Sequence, residues 1–295
     1  MGASIAQTFA QFNYHTVLYA PREASFQRAR KIIVDCQDIA IKNGIVTTKE
    51  SEKIQNSIIY TMDSNCFKNA DLVIESIPEV LESKIEFLQM LSEVLPAESI
   101  VTTNTSAISI NELGKHITHS ERFCGTHWLN PPHIIPLVEV VRSKTTSNAI
   151  IDTLLAVLKS VNKEPVVLKK DIKGFISNRL QFALLREASY LVENGVATPE
   201  DIDRTLKYGN GIRYSCSGPF KIVDLGGIEV FNNVAKYLYP DLCNSNEKNS
   251  LLEDMIAKKC YGVKSGQGFY HYTETEALEE INERDRKMLE VLKIY

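Results

Sequence analysis

Apolar and polar positions follow two different rhythms along the chain of 295 residues. In the first half, short β-branched runs are separated by amphipathic stretches of helical period, the pattern of parallel βαβ units. Positions 15–19, 57–61, 72–75 and 100–103 predict strands, and positions 2–12, 22–43, 46–55 and 80–94 predict the helices around them. Two further strands are predicted at 123–128 and 137–141, then a helix at 147–162 and a last strand at 165–169. From Gly174 the β-branched runs stop, and helical periodicity recurs near 176–194, 199–208, 217–240, 249–258 and 276–293. The change of rhythm predicts an α/β domain over 1–170 and a helical domain over 171–295, with ligands favoured where the two meet.

Composition narrows the function classes. Hydrophobic residues make up 44% and charged residues 24%, with 14 Gly and 10 Pro, which excludes a disordered, collagenous or disulfide-scaffold chain. The balance of 33 Lys+Arg against 37 Asp+Glu leaves a net charge of −4, so neither nucleic acid nor an anionic membrane is expected as the main partner, and a small-molecule substrate is. No apolar run approaches the roughly 18–20 residues that span a bilayer, and no signal-peptide pattern opens the chain, so a cytoplasmic location is expected. Cys36, Cys66, Cys124, Cys216, Cys243 and Cys260 show no Cys-x-x-Cys spacing and read as reduced packing residues; no metal site is expected.

The first ten residues, Met1-Gly2-Ala3-Ser4-Ile5-Ala6-Gln7-Thr8-Phe9-Ala10, form a small-residue helix start followed by a strand. They match the back half of a dinucleotide-binding βαβ unit, with Gly2 in the place of the third glycine of Gly-x-Gly-x-x-Gly. The strand and phosphate-cradling turn would then lie upstream of Met1; an unrelated N-terminal helix is the other reading. After the strand at 15–19, where such units place an acidic residue against ribose hydroxyls, stands Ala20-Pro21-Arg22. Arg22 is either a surface residue or a contact for the 2′-phosphate of NADP.

Stronger chemistry follows. Asn104-Thr105-Ser106 comes directly after an apolar strand, at the carboxyl end where α/β sheets bind ligands, although a simple helix cap would look the same. Gly125-Thr126-His127-Trp128-Leu129-Asn130-Pro131-Pro132 places a histidine at the end of another strand. Twelve positions on, Glu139 interrupts the apolar run Pro136-Leu137-Val138-Glu139-Val140-Val141. A lone carboxylate there is costly unless paired, and an imidazole is the expected partner. Such a pair fixes the imidazole tautomer and raises its basicity for taking a proton from an alcohol, or it is a buried ion pair joining two strands. His133 competes for the role from within a proline-rich turn; His15, His116, His119 and His271 have no such context.

These segments, with Ala70–Glu75 and Ile77-Pro78-Glu79, Gly174-Phe175-Ile176-Ser177-Asn178-Arg179, Gly218-Pro219-Phe220 and Gly262-x-Lys264-x-Gly266-x-Gly268-Phe269-Tyr270, resemble the L-3-hydroxyacyl-CoA dehydrogenases and their relatives acting on other 3-hydroxy acids. The resemblance runs the length of the chain in the family's order. It implies a Rossmann-type doubly wound α/β sheet, here lacking its first strand, followed by an all-α C-terminal domain that dimerises. It implies His127 as catalytic base, Glu139 orienting it, and Ser106 and Asn178 at the reacting oxygen. It places Gly2, Glu79, Lys84, Ser106, Asn130 and Lys264 around NAD, with Asn178 supplied by the helical domain on closure.

The activity that the resemblance implies is interconversion of a 3-hydroxyacyl-CoA and a 3-oxoacyl-CoA by hydride transfer to or from NAD; the absent glycines and Ala20 depart from the family pattern and weaken the dinucleotide site, so a catalytically silent dimeric paralogue is a rival reading. A dehydrogenase of a free 3-hydroxy acid is another, since Trp128-Leu129 and Pro131-Pro132-His133 resemble a subgroup that includes such enzymes. The basic residues Arg28, Arg30 and Lys31 either meet CoA phosphates or line a solvated helix face.

Overall fold

The computed structural model describes residues 1–295 and divides into two compact units, Met1–Asn178 and Arg179–Tyr295. In the first unit the elements run α1 (Gly2–Gln11), β1 (Thr16–Tyr19), α2 (Glu23–Lys42), α3 (Thr48–Ser57), β2 (Ile58–Thr61), β3 (Leu72–Glu75), α4 (Leu81–Val94), β4 (Ile100–Thr103), α5 (Ile110–Leu113), β5 (Phe123–Trp128), β6 (Leu137–Arg142), α6 (Asn148–Ser160) and β7 (Glu164–Leu168). The predicted elements of this half are all present, displaced at their ends by one or two residues. The start of α3 is sharp because Thr47 and Glu50 form a capping box.

The strands form two sheets, β1-β2 and β3-β4-β5-β6-β7. β1 pairs only with β2 and β3 only with β4, so no hydrogen-bonded ladder joins the two sheets. Helix α1 joins the two sheets. Ile5 and Phe9 pack with Trp128, Val138 and Val140 against the larger sheet, while Ala3 and Ala10 pack with Ile33, Ile54 and Ile58 on the side of the smaller one. A third cluster, with Leu88, Leu91, Ile110, Leu113 and Phe123 fully buried, fills the other face of the larger sheet. Gly125 on β5 is required there, because a Cβ at that position would lie 2.7 Å from Ile110 Cδ1.

One pairing departs from the βαβ pattern. β5 and β6 are antiparallel, with His127 directly opposite Glu139. The eight residues between them are too few for the crossover that a parallel connection needs. The first unit also runs past the expected boundary at 170, because Phe175 is buried in its core cluster and the 171–178 segment is hydrogen-bonded to it.

The second unit carries on the helix α7 (Ser177–Glu193), then α8 (Pro199–Thr205), a π-turn at Leu206–Asn210, α9 (Gly211–Cys216), α10 (Pro219–Gly226), α11 (Ile228–Leu238), α12 (Ser250–Ala257) and α13 (Glu274–Leu292). The single helix predicted at 217–240 is two, because Gly227 adopts φ 92° and ends α10. The stretch predicted at 199–208 instead continues through the π-turn to Cys216. This unit buries little of its own apolar surface: Ala277 is its one buried hydrophobic residue. No helix of the chain is long and apolar enough to cross a membrane.

Candidate active site

The carboxyl ends of β3, β4 and β5 converge on one edge of the larger sheet and deliver the candidate residues. β5 ends in His127-Trp128, both buried, and the N–H of Trp128 donates to Asn104 Oδ1 at 2.9 Å, tying the loop after β4 to the end of β5. His127 Nδ1 lies 2.7 Å from Glu139 Oε2, and both side chains are almost completely buried. Burial pushes the Glu139 carboxyl up, but hydrogen bonds from His127 and from the N–H groups of Ser177 and Ile176 outweigh it and hold the carboxyl below its ordinary value. An ionised carboxylate only accepts, so Nδ1 carries the proton and Nε2 of the neutral ring is left as an acceptor. The hydroxyl of Ser106 stands 3.2 Å from that Nε2. Asn178 donates its amide Nδ2 to the carbonyl of Ser106 at 3.4 Å, so Ser106, His127, Glu139 and Asn178 lie together within the first unit.

A second carboxylate network holds the Ser106 turn. Glu79 Oε1 accepts from the Thr105 hydroxyl, and from the N–H groups of Ser106 and Ala107 at 3.0 Å apiece. Burial raises the Glu79 carboxyl, while these donors and Lys84 together lower it by more, leaving it below its ordinary value. Lys84 was expected to touch the dinucleotide directly; the structure corrects this. Its side chain has 0% exposure, and its ammonium lies 2.8 Å and 2.9 Å from the two oxygens of the fully buried Glu75 and 3.5 Å from Glu79 Oε2. Of the two carboxylates it meets, Glu79 is the one that is partly exposed, so Lys84 reaches the edge through Glu79. Glu75 also accepts from Thr103 at 2.5 Å and from the Ile77 N–H at 2.7 Å. Sequence reasoning gave Glu75 no role, although it is a carboxylate ending an apolar strand, the same signal that singled out Glu139.

Among the other candidates, Gly2 opens α1 beside Ser76, whose hydroxyl is buried without a partner, and Asn130 is exposed just after β5 at a cis Asn130–Pro131 bond. Asn178 was expected from the helical domain but is the last residue of the first unit. Lys264 belongs to the second unit, exposed in a turn between Gly262 and Gly266, both with positive φ. His133 does not meet Glu139; its Nδ1 is 3.5 Å from Cys36 Sγ on α2. Ala20 is buried with its N–H bonded to Thr61, and Arg22 is exposed at the start of α2. The orphaned Ser76 hydroxyl at the N-terminus of a ten-residue helix, the half-exposed Glu79 carboxylate and the Asn130 amide on the same sheet edge are donors and acceptors of the kind a dinucleotide needs.

Comparison with known proteins gives the family. Residues 1–172 match the family model for the 3-hydroxyacyl-CoA dehydrogenase NAD-binding domain, and residues 174–272 match the model for the C-terminal domain of the same family. The chain is 34% identical over 303 residues to the 5-formyl-3-hydroxy-2-methylpyridine 4-carboxylate 5-dehydrogenase of Mesorhizobium japonicum, covering 100% of this chain and 94% of that protein. It is 31% identical to a probable 3-hydroxybutyryl-CoA dehydrogenase of Bacillus subtilis, covering 93% and 94%. Among solved structures, a 5-formyl-3-hydroxy-2-methylpyridine 4-carboxylic acid 5-dehydrogenase, described as an NAD+-dependent dismutase, superposes with a TM-score of 0.92 at 33% identity, covering 100% of this chain and 94% of that one. The (S)-3-hydroxybutyryl-CoA dehydrogenase of Ralstonia eutropha superposes with a TM-score of 0.75 at 28% identity, covering 92% and 95%. With both of its domains matched in order and a site built on a paired histidine and glutamate, the chain belongs to the 3-hydroxyacyl-CoA dehydrogenase family, an oxidoreductase whose cofactor is NAD.

Proposed function

We propose that this protein interconverts a hydroxyl and a carbonyl on a small free acid, with His127 as the general base and acid. The observation that carries the chemistry is the aligned run Glu139 Oε2, His127 Nδ1, His127 Nε2 and Ser106 Oγ, with successive separations of 2.7 Å and 3.2 Å at its two hydrogen bonds. In the oxidative direction Nε2 takes the proton of the substrate hydroxyl, and in reduction it returns it. Glu139 keeps Nδ1 protonated and stabilises the imidazolium that forms. The Ser106 hydroxyl and the Asn178 amide hold the reacting oxygen and polarise it. When bound, NAD would supply the hydride acceptor, and Glu79, Ser106, Asn130 and the opening of α1 at Gly2 would hold it, with Lys84 acting through Glu79.

The free-acid reading is supported by the likeness to the pyridine-carboxylate enzyme over the whole chain. A 3-hydroxyacyl-CoA substrate is the second reading, supported by relatives such as the Bacillus subtilis protein. Titrating the chain with NADH and then adding acetoacetyl-CoA, free acetoacetate or a formyl-hydroxypyridine carboxylate separates the cases by the loss of reduced cofactor. Turnover of a free acid supports the reading; turnover of the thioester alone replaces it; no binding of NADH leaves the silent paralogue.

The apolar surface of the second unit supports a homodimer. Phe220, Leu225, Ile228 and Tyr237 on α10 and α11 are 87%, 72%, 64% and 70% exposed, well beyond scattered surface apolar residues. A second copy of the chain is the occupant proposed for this face, since a helical unit with one buried hydrophobic residue needs apolar surface from elsewhere.

A further inference from the structure

Glu139 makes more contacts than orienting a histidine requires. While Oε2 meets His127 Nδ1 at 2.7 Å, Oε1 accepts the N–H of Ile176 at 2.8 Å and the N–H of Ser177 at 2.9 Å. Ser177 is the first residue of α7, a helix of 17 residues. The first N–H groups of a helix lack intrahelical acceptors and are usually met by the residue just before it. Ile176 has no side-chain acceptor, and the carboxylate comes instead from β6, across 37 and 38 positions of sequence.

The segment leading into α7 is built to hold these amides in place. At its start, Asp171 Oδ2 accepts the Ser109 hydroxyl at 2.6 Å, the Asn111 N–H at 3.0 Å and the Asn111 amide at 2.9 Å. At its centre, Gly174 and Phe175 adopt φ values of 78° and 51°, a sharp reversal that a bulky side chain adopts only when its surroundings impose it. Those surroundings are a core site in which Phe175 is 1% exposed, with its ring centroid 5.3 Å from that of His127. The turn therefore packs Phe175 against the imidazole and delivers two amides to its carboxylate. The next residue, Asn178, reaches the Ser106 carbonyl.

We infer that the opening turn of α7 is a positioning element of the catalytic pair: the backbone N–H groups of Ile176 and Ser177 fix the rotamer of Glu139, and through it the orientation and tautomer of His127. One carboxylate then serves the base and the helix start together, so displacement of either is felt by the other. The kinetic part of this inference rests on the proposed dehydrogenase chemistry; the structural part does not.

Ser177→Pro tests it, because proline is tolerated at the first helical position while deleting the N–H that Glu139 accepts. The expected result is a fall in kcat of about tenfold or more with KM for NADH unchanged, as for an interaction that positions the base. The low-field proton resonance of His127 Nδ1–H should shift in the same variant. Glu274→Pro, at the first position of α13, is the matched control and changes neither. Wild-type kcat together with an unshifted resonance in Ser177→Pro overturns the inference. If the wild-type chain turns over no substrate, the dehydrogenase reading fails, and the resonance still decides the coupling.

A second measurement covers a variant that does not fold. By reciprocity, His127→Ala should speed hydrogen exchange at the Ile176 and Ser177 amides several-fold, although the imidazole bonds to neither. Unchanged exchange at both amides overturns the inference.

Discussion

A carboxylate inside an apolar strand has to be matched by donors, and each of the two such residues here is matched differently. Glu139 shares its charge among an imidazole and two backbone amides, which leaves the imidazole's far nitrogen free to work. His127→Ala is therefore expected to lower kcat by on the order of 10²–10⁴ while leaving NADH affinity nearly unchanged, measured by steady-state kinetics beside fluorescence titration. Glu75 is matched by Lys84, with both side chains at 0% exposure. Lys84→Met strands a buried charge and should cost about 3–5 kcal/mol in urea unfolding. The double change Glu75→Gln with Lys84→Met removes both charges and should recover most of that loss, because what is expensive is the unpaired ion. Similar losses in the single and double variants would show that packing, not charge pairing, dominates at this site.

The elements around the site depend on a few long-range ties. The turn between β5 and β6 is held by Lys163, just before β7, whose buried ammonium donates to the carbonyls of Pro132 at 2.8 Å and Ile135 at 3.1 Å and sits 5.6 Å from the Trp128 ring. No carboxylate pairs with it, and burial pushes the ammonium down from 10.5 to about 8. Between those values the unfolded chain binds the proton and the folded chain does not, so this residue's contribution to stability rises with pH. Relative to Lys163→Met, the wild-type protein should gain about 3 kcal/mol between pH 8 and pH 10.5 and show no such trend below pH 7. Chemical denaturation across that range checks it; parallel pH curves for the two proteins would contradict it. Loss of the turn's anchor should also loosen Asn130 and His133, which lie within the turn.

At the scale of the whole molecule, the two units differ in how they are stabilised. Three apolar clusters fill Met1–Asn178, whereas Arg179–Tyr295 leaves its helices largely exposed. If a second copy covers that face, Phe220→Glu combined with Tyr237→Glu should convert a dimer to a monomer in light scattering, with aggregation increased rather than the first unit unfolded. A wild-type monomer at micromolar concentration would refute the dimer. The sheet edges are the other whole-molecule feature, since β1, β2, β3 and β7 each leave one ladder edge without a partner.

Periodicity is a local property, so the sequence by itself determined where strands and helices lie, the change from α/β to helical near 170, and the candidacy of His127 and Glu139. It also determined the family, through motifs that keep their order. Partners distant in sequence are not local, and only the tertiary structure decided them. It set β5 and β6 antiparallel so that His127 faces Glu139, and it buried Lys84 on Glu75 rather than leaving it at the surface. It broke the helix expected over 217–240 at Gly227, where a positive φ ended the run. It also brought the amides of Ile176 and Ser177 onto a carboxylate 37 and 38 residues away. A pattern of apolar positions records which face of an element is buried; which donor satisfies a buried acceptor depends on the packing of every element around it.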